Sequence, residues 1–278
     1  MSTRVVAIIQ ARMASSRLPG KVLLDILGKP MLARVQTRTS RAGKVDDVIV
    51  ATTADPSDDV VAEYCVGQNI MHTRGSQFDV LDRYYRAAQQ SAADIVVRIT
   101  ADCPVIDATL VDDAVETLLG KSHAEGAPAF DFVANRRPPP FHRTFPIGLD
   151  VEVCTFRALE QAWSAGHDSW HREHVMPYLY EGVQLVPLSP ELSIGHSQRG
   201  FRVGLRNRVP DIGDYRWTVD TAEDLEFIRQ VYTRFGGRDN FSWKEVLDLL
   251  RREPQLAEIN ASVVHKTLSD VDERAPKV

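Results

Sequence analysis

Three short apolar runs constrain this chain more than any other feature. Residues 4–10 (RVVAIIQ), 47–53 (DVIVATT) and 94–100 (DIVVRIT) are continuously apolar at their centres. Such runs read as strands buried on both faces, the habit of a parallel sheet. The segments between them carry helical patterns. Residues 30–43 open on Pro30 and close on Gly43, the usual asymmetry of a helix. Residues 55–68 offer Asp55 as an N-cap and Pro56 at the first helical position. Residues 78–91 and 108–120 repeat apolar positions at helical spacing. A β-α-β-α order predicts an α/β fold around a parallel sheet.

The second half is less regular. Residues 136–146 (RRPPPFHRTFP) hold four prolines and read as a loop or extended arm. Residues 149–155 alternate and read as a strand, residues 156–166 as a helix, and residues 169–182 as a helix interrupted near Pro177. Residues 182–188 and 199–206 look like edge strands, and 221–237 like a helix with Thr221 as N-cap and a terminal glycine. The reading is one domain over 1–252, with an arm at about 136–149 and a polar extension, 253–278, that docks loosely or frays. Phe141 and Phe145 stand among prolines. An arm of this kind builds no core of its own, so it packs on a partner chain or folds over a ligand.

Ligands of a parallel sheet sit beyond the carboxyl ends of its strands. The loop 11–21, ARMASSRLPGK, follows the first strand and so lies there. Ser15, Ser16 and Gly20 let the backbone approach a ligand, and backbone amides in such a loop form an anion nest. Arg12, Arg17 and Lys21 add charge, and arginine can hold two phosphate oxygens at once. The loop reads as a di- or triphosphate cradle. The net charge of −5 means that affinity for phosphate comes from local placement of cations, which argues against a general nucleic-acid binder. The Walker and Rossmann glycine patterns are absent.

Cys65, Cys103 and Cys154 are far apart and form no C-x-x-C pair, which fits a reducing cytoplasm. No apolar run reaches the roughly 18 residues of a membrane span, and the N-terminal apolar stretch is too short for a signal peptide. His167, His171 and His174 fall on one face if their segment is helical, a zinc-like spacing that no other motif supports. Cys103 reads as a small buried residue. Asp102 follows the strand 94–100, and Asp220 precedes the helix 221–237. On local chemistry alone, a turn before Pro104 accounts for Asp102 and helix capping for Asp220. Asp150 and Glu152 alternate with valines and face one side, either toward a ligand or as the solvent face of an edge strand. Asp79 and Arg83, four apart, read as a surface helix pair.

Several stretches taken together carry a resemblance. They are IIQARMASSRLPGKVLLDILGKPML (8–32), RGSQFDVLDRYYRAA (74–88), RITADCPVID (98–107), PIGLDVEVCTFRALEQA (146–162), REHVMPYL (172–179) and RWTVDTAEDLEFI (216–228). The chain resembles the cytidylyltransferases that make CMP-activated sugar acids. It is closest to the branch typified by the spore-coat polysaccharide biosynthesis protein F, with CMP-ketodeoxyoctonate and CMP-sialate synthetases further off. The resemblance implies a three-layer α/β/α sandwich of the nucleotide-diphosphosugar-transferase type, with a mainly parallel mixed sheet. It implies transfer of CMP from CTP to a small acidic acceptor with release of pyrophosphate, a magnesium cofactor held by Asp102 and Asp220, and a homodimer. Lys21, Arg12 and Arg17 become the catalytic cations. Ala11, Arg12, Ser15, Ser16, Gly20, Lys21, Arg74 and Gly75 become nucleotide contacts, with Arg74 and Gly75 beside the base. Asp150, Glu152, Arg172 and His174 become acceptor contacts. A glycosyltransferase of the same sandwich commonly needs D-x-D, and this chain has Asp102-Cys103-Pro104 instead. A catalytically silent nucleotide-binding partner is disfavoured because Lys21, Asp102 and Asp220 are all present.

Overall fold

The structure is a computed structural model that describes residues 3–120, 128–136 and 142–264. In chain order the strands are β1 (Val5–Gln10), β2 (Asp25–Ile26), β3 (Lys29–Pro30), β4 (Asp47–Thr53), β5 (His72–Gly75), β6 (Ile95–Thr100), β7 (Phe132–Ala134), β8 (Glu152–Thr155), β9 (Gln184–Ser189), β10 (Leu192–His196) and β11 (Arg202–Arg206). The helices are α1 (Met31–Thr39), α2 (Asp59–Gly67), α3 (Val80–Gln90), α4 (Ala108–Leu119), α5 (Phe156–Ala165), α6 (Ser169–His174), α7 (Pro177–Tyr180), α8 (Ala222–Arg234), α9 (Trp243–Arg252) and α10 (Gln255–Glu258).

Nine strands form one sheet in the order β5-β4-β1-β6-β8-β7-β11-β10-β9. The three apolar runs are its centre: β1 lies parallel between β4 and β6. β8 and β10 run against their neighbours, so the sheet is mixed but mainly parallel. Alternate residues of β1 feed two cores. Ala7 and Ile9 face a layer that contains α1, α4, α8 and α9, while Val6 and Ile8 face α3, α5 and α7. Apolar side chains on both faces require cover on both faces, which is why the fold has three layers.

Several local expectations are corrected. Helix α1 stops at Thr39, and Gly43 lies beyond its end. The amides of Gly43 and Lys44 bond instead to the Asp112 carboxylate at 3.0 and 2.8 Å. β8 sits between β6 and β7 in mid-sheet, and β11 sits between β7 and β10, so neither is an edge. The partner that covers β11 is β10, whose sequence LSIGH carries little strand signal. The break before α7 falls near Pro177, as expected, at Val175, which has φ 71. Phe145 packs within its own chain, edge-on to Trp243 at 6.2 Å, and Phe141 lies outside the described residues. Beyond α9, Leu256 and Asn260 are buried.

Candidate active site

β1 ends at Gln10 and delivers the cation loop to the carboxyl edge of the sheet. Gly20 has φ 70, a left-handed conformation that glycine adopts without strain, and the chain then enters a tight turn, Lys21–Leu23. The loop wraps on itself. Ser15 and Gly20 both donate their amides to the Met13 carbonyl at 2.9 Å, Lys21 donates to Leu18, and Leu18 donates to the Ser15 hydroxyl. Those amides are spent internally. The expected anion nest is therefore reduced, and side-chain charge has to do most of the work toward phosphate. Ser16 lies exposed on the loop. Sequence reasoning overlooked Asp58. Its carboxylate is fully buried, accepts the Met13 amide at 2.5 Å and also takes the Thr53 hydroxyl, so it clamps the loop to the end of β4.

Lys21, Asp102 and Asp220 come together from three distant parts of the chain. The Lys21 ammonium donates to Asp102 Oδ2 at 2.7 Å, to Asp220 Oδ1 at 2.8 Å and to the Val219 carbonyl at 2.8 Å. Burial alone lowers the lysine pKa, but Asp102 and Asp220 outweigh it and the value is raised. Asp220 Oδ2 also meets Arg17 and Arg216, each at 2.8 Å. Burial favours its neutral form, yet Lys21, Arg17 and Arg216 hold this carboxyl well below the usual carboxylate range. Lys21 is thus a pinned cation in this structure. Asp220 does not cap α8: Thr221 does so, in a capping box with Asp224. Asp224 in turn accepts from Arg216 and from the buried Asn260.

The segment that carries Asp220 is held by backbone on two sides. The Val219 amide donates to the Asp102 carbonyl at 2.9 Å, and the Trp217 amide donates to the Ile147 carbonyl at 2.6 Å. Gly148 lets the arm pass this close, since a Cβ there would fall 2.5 Å from the Thr218 nitrogen.

A second group lies on the α3–α6 face. A cavity of about 110 Å3 is lined by Gln10, Ala11, Arg12, Val80, Arg83, Arg98, Glu173 and His174. Ala11, Arg12 and His174 were foreseen as site residues, whereas Arg83 and Arg98 were not. Arg83 is buried and donates to the carbonyls of Ser76 and Gln77. The expected surface pair with Asp79 is not formed, because Asp79 caps α3 and binds Arg172. Gly75 leaves room for Arg83, whose Cγ would lie 3.0 Å from a Cβ there. Arg98 pairs with the buried Glu152, which also faces Arg136 at 3.6 Å. The alternation in β6 that aims Arg98 at α3 was the available signal, but a charged residue in an apolar strand is easily read as noise.

The remaining candidates are engaged elsewhere. Arg74 donates to the Thr53 carbonyl at 2.8 Å and to Asp59 at 2.6 Å, which ties the end of β5 to the start of α2. Arg172 binds Asp79 and the Trp163 carbonyl, which fastens α6 to α3 and α5. Asp150 precedes β8 and pairs with Arg143 of the arm. Glu152 is therefore buried between arginines and lies on no solvent face. His171 is buried between Asp168 and Glu181, and no group of three or more metal-binding side chains occurs among the described residues. Cys103 is buried, and burial pushes its thiol well above its ordinary range, the setting of a structural cysteine.

Cations and converging carboxylates at the carboxyl edge of a mainly parallel sheet are the equipment of a nucleotidyltransferase, and the chain is an enzyme of that class. Residues 6–246 match the family described as Cytidylyltransferase, to which the chain belongs. It is 30% identical over 261 residues to the spore coat polysaccharide biosynthesis protein SpsF of Bacillus subtilis, covering 91% of this chain and 96% of that one. It is 33% identical over 270 residues to an uncharacterised protein of Methanocaldococcus jannaschii, covering 97% of this chain and 100% of the other. A solved cytidylyltransferase from Leptospira borgpetersenii superposes with a TM-score of 0.78 at 29% identity, over 95% of this chain and 100% of its own. No helix among the described residues is long and apolar enough to cross a membrane.

Proposed function

We propose that the protein transfers CMP from CTP to a small acidic acceptor, a sugar acid or a close analogue, and releases pyrophosphate. The observation that carries this reading is the convergence of Asp102 and Asp220 on one cation position. Family membership supports CTP as the nucleotide. Relatives include SpsF and the 3-deoxy-manno-octulosonate cytidylyltransferase of Geobacter sulfurreducens, 30% identical over 80% of this chain and 96% of that one.

An acceptor oxygen attacks the α-phosphorus. The bond from that phosphorus to the oxygen bridging the α- and β-phosphates breaks, and its electron pair leaves with pyrophosphate. Arg12, Arg17 and Lys21 neutralise the phosphates as charge moves onto the leaving group. Magnesium suits the two aspartates, because it binds through one or two carboxylates and completes its shell with substrate phosphates and water. The ammonium held between the two carboxylates is the stand-in that marks this fit. When bound, the metal would supply charge stabilisation to the phosphates. Ala11, Ser15, Ser16 and Gly20 form the backbone floor of the nucleotide site. Asp150 and Glu152 reach the acceptor through the arginines they orient.

The enzyme works in the cytoplasm, where CTP is made available, and as a homodimer. The exposed edge strand β9, with Val186 and Leu188 turned outward, supports the dimer, which light scattering at micromolar concentration tests. The function is tested by incubating the protein with CTP, magnesium and a panel of sugar acids that includes 3-deoxy-manno-octulosonate. Pyrophosphate release and a product heavier than the acceptor by one CMP unit are expected. Release with no acceptor dependence, or with no cytidylylated product, would refute it.

A further inference from the structure

Asp220 is held from behind by residues that the transfer chemistry above does not use. Its Oδ1 receives the Lys21 ammonium, whereas its Oδ2 is taken by Arg17 and Arg216. Arg216 grips Asp224 with two prongs, Nε to Oδ1 and Nη2 to Oδ2, each at 2.9 Å. The same Nη2 reaches Asp220 Oδ2 at 2.8 Å. Asp224 is fully buried, and its Oδ2 also accepts the Asp220 and Thr221 amides at 2.9 and 3.1 Å. A guanidinium fixed on two prongs has a set plane, so the Asp220 carboxylate takes its rotation from Asp224. Asn260 fixes Asp224 in turn and is 3% exposed. Its Nδ2 sends one N–H to Asp224 Oδ1 at 2.8 Å and the other to the Arg216 carbonyl at 3.0 Å. Both partners are acceptors, so only the donor end of the amide fits there. Residue 260 lies outside residues 6–246, the stretch matched by the family. The same part of the chain meets the other arginine, since Arg17 donates to the Val264 carbonyl at 3.3 Å.

We propose that Asn260 is a positioning residue for metal selection: through Asp224 and Arg216 it keeps Asp220 Oδ2 occupied, presents Oδ1 alone to the cation position, and so favours magnesium over calcium. The proposal rests on the reading that Asp102 and Asp220 hold magnesium. Magnesium demands near-ideal octahedral geometry and keeps much of its water, whereas calcium takes more oxygens in flexible geometry and often uses both oxygens of a carboxylate. The described residues bring to the cation position one oxygen of Asp102, one of Asp220 and the Val219 carbonyl. A single Asp220 oxygen held at a fixed rotation suits the smaller ion. Release of Oδ2 would add a ligand and freedom of rotation, and both suit calcium. Supporting partners of this kind are known to tune a metal site as strongly as many of its ligands do.

The test uses the full chain without nucleotide. Manganese, which shares the preference for octahedral oxygen ligands, is titrated into wild type and into Lys21→Met, where no ammonium competes. Electron paramagnetic resonance reads the free ion, and magnesium and calcium are then used to displace the bound one. Wild type is expected to hold magnesium at least as tightly as calcium. Asn260→Ala is expected to weaken manganese and magnesium by ~10-fold or more, the usual loss when a ligand's supporting partner is removed, and calcium by less than about threefold. Arg216→Lys keeps the charge without the fork and is expected to shift the preference the same way. If neither variant folds, wild type decides, and a tighter hold on calcium than on magnesium overturns the proposal. Equal losses for all three ions in Asn260→Ala also overturn it, because general loosening of the site gives that result, and so do unchanged affinities. Those results leave Asp102 and Asp220 as metal ligands. Manganese that binds Asp102→Asn as well as wild type lies elsewhere, and removes the metal reading together with this proposal.

Discussion

Lys21→Met is the most informative single change. It keeps an unbranched apolar stem and removes the charge. Asp102 and Asp220 then face each other, and only Asp220 retains arginine partners, Arg17 and Arg216. Removing one member of a fully buried ion pair costs ~3–5 kcal/mol. Here the Asp102 side chain is 25% exposed and Asp220 16%, so water and the two arginines offset part of the loss, leaving ~1–3 kcal/mol. For a chain of this size that corresponds to a fall in Tm of roughly 2–10 °C. Magnesium without nucleotide should restore it, because the two carboxylates no longer hold an internal cation. At a hundredfold excess over Kd the recovery is ~2.7 kcal/mol. The wild type should respond much less, since the metal must first displace the ammonium. The assay is a thermal melt over a magnesium series, with potassium chloride at matched ionic strength as control. Equal magnesium responses in wild type and variant would refute the reasoning, as would a variant whose lost stability magnesium does not return. Activity should stay low even where magnesium restores the fold, by ~100-fold or more in kcat, if the ammonium also stabilises the departing pyrophosphate.

Other outcomes follow from the same geometry. CTP should raise Tm more than ATP, GTP or UTP in the presence of magnesium, and equal shifts for all four would count against cytidine preference. Asp102→Asn and Asp220→Asn should each abolish pyrophosphate release with the circular dichroism spectrum unchanged; near-normal rates in either variant would remove that residue from the metal site. Asn260→Ala strips donors from the Arg216 carbonyl and from buried Asp224 and should cost ~1–3 kcal/mol in urea denaturation, with no loss if that end of the chain is idle. For pH, Asp220 has a depressed folded pKa, so its contribution is present above ~4 and lost as pH falls through the folded value. Lys21 has a raised one, so its contribution is present below ~10.4 and lost as pH rises past the folded value. The stability difference between wild type and Lys21→Met should therefore be flat from about pH 5 to 10, and a step near neutrality would point to another group.

The apolar centres of β1, β4 and β6 were legible because burial on both faces leaves no room for another pattern. The helices that cover them were legible through their spacing and, for α8, through its cap Thr221; the cap of α3, Asp79, read instead as a surface pair. β10 was not legible, since LSIGH owes its strand state to pairing with β9 and β11 rather than to its own residues. In the site, Lys21 stood out by its place in the loop after β1, whereas Asp102 and Asp220 read locally as a turn and a cap and were singled out only by the family resemblance. Arg83 and Asp58 were missed for a shared reason: both bond to backbone atoms of the loops they support, and no spacing rule records such contacts. Arg74 and Arg172 carried motif signal, yet their forks are committed to neighbouring helices.

The clasp between Trp217 and Ile147 sets a mechanical tolerance for the enzyme. Asp102 and the segment leading to Asp220 are joined through a main-chain hydrogen bond, so the spacing of their backbones is set by peptide geometry. The same clasp reaches the arm through Gly148, where added bulk would press on the backbone of Trp217 and Thr218. At Gly148 even a single methyl group would run into the main chain of the segment that leads to Asp220.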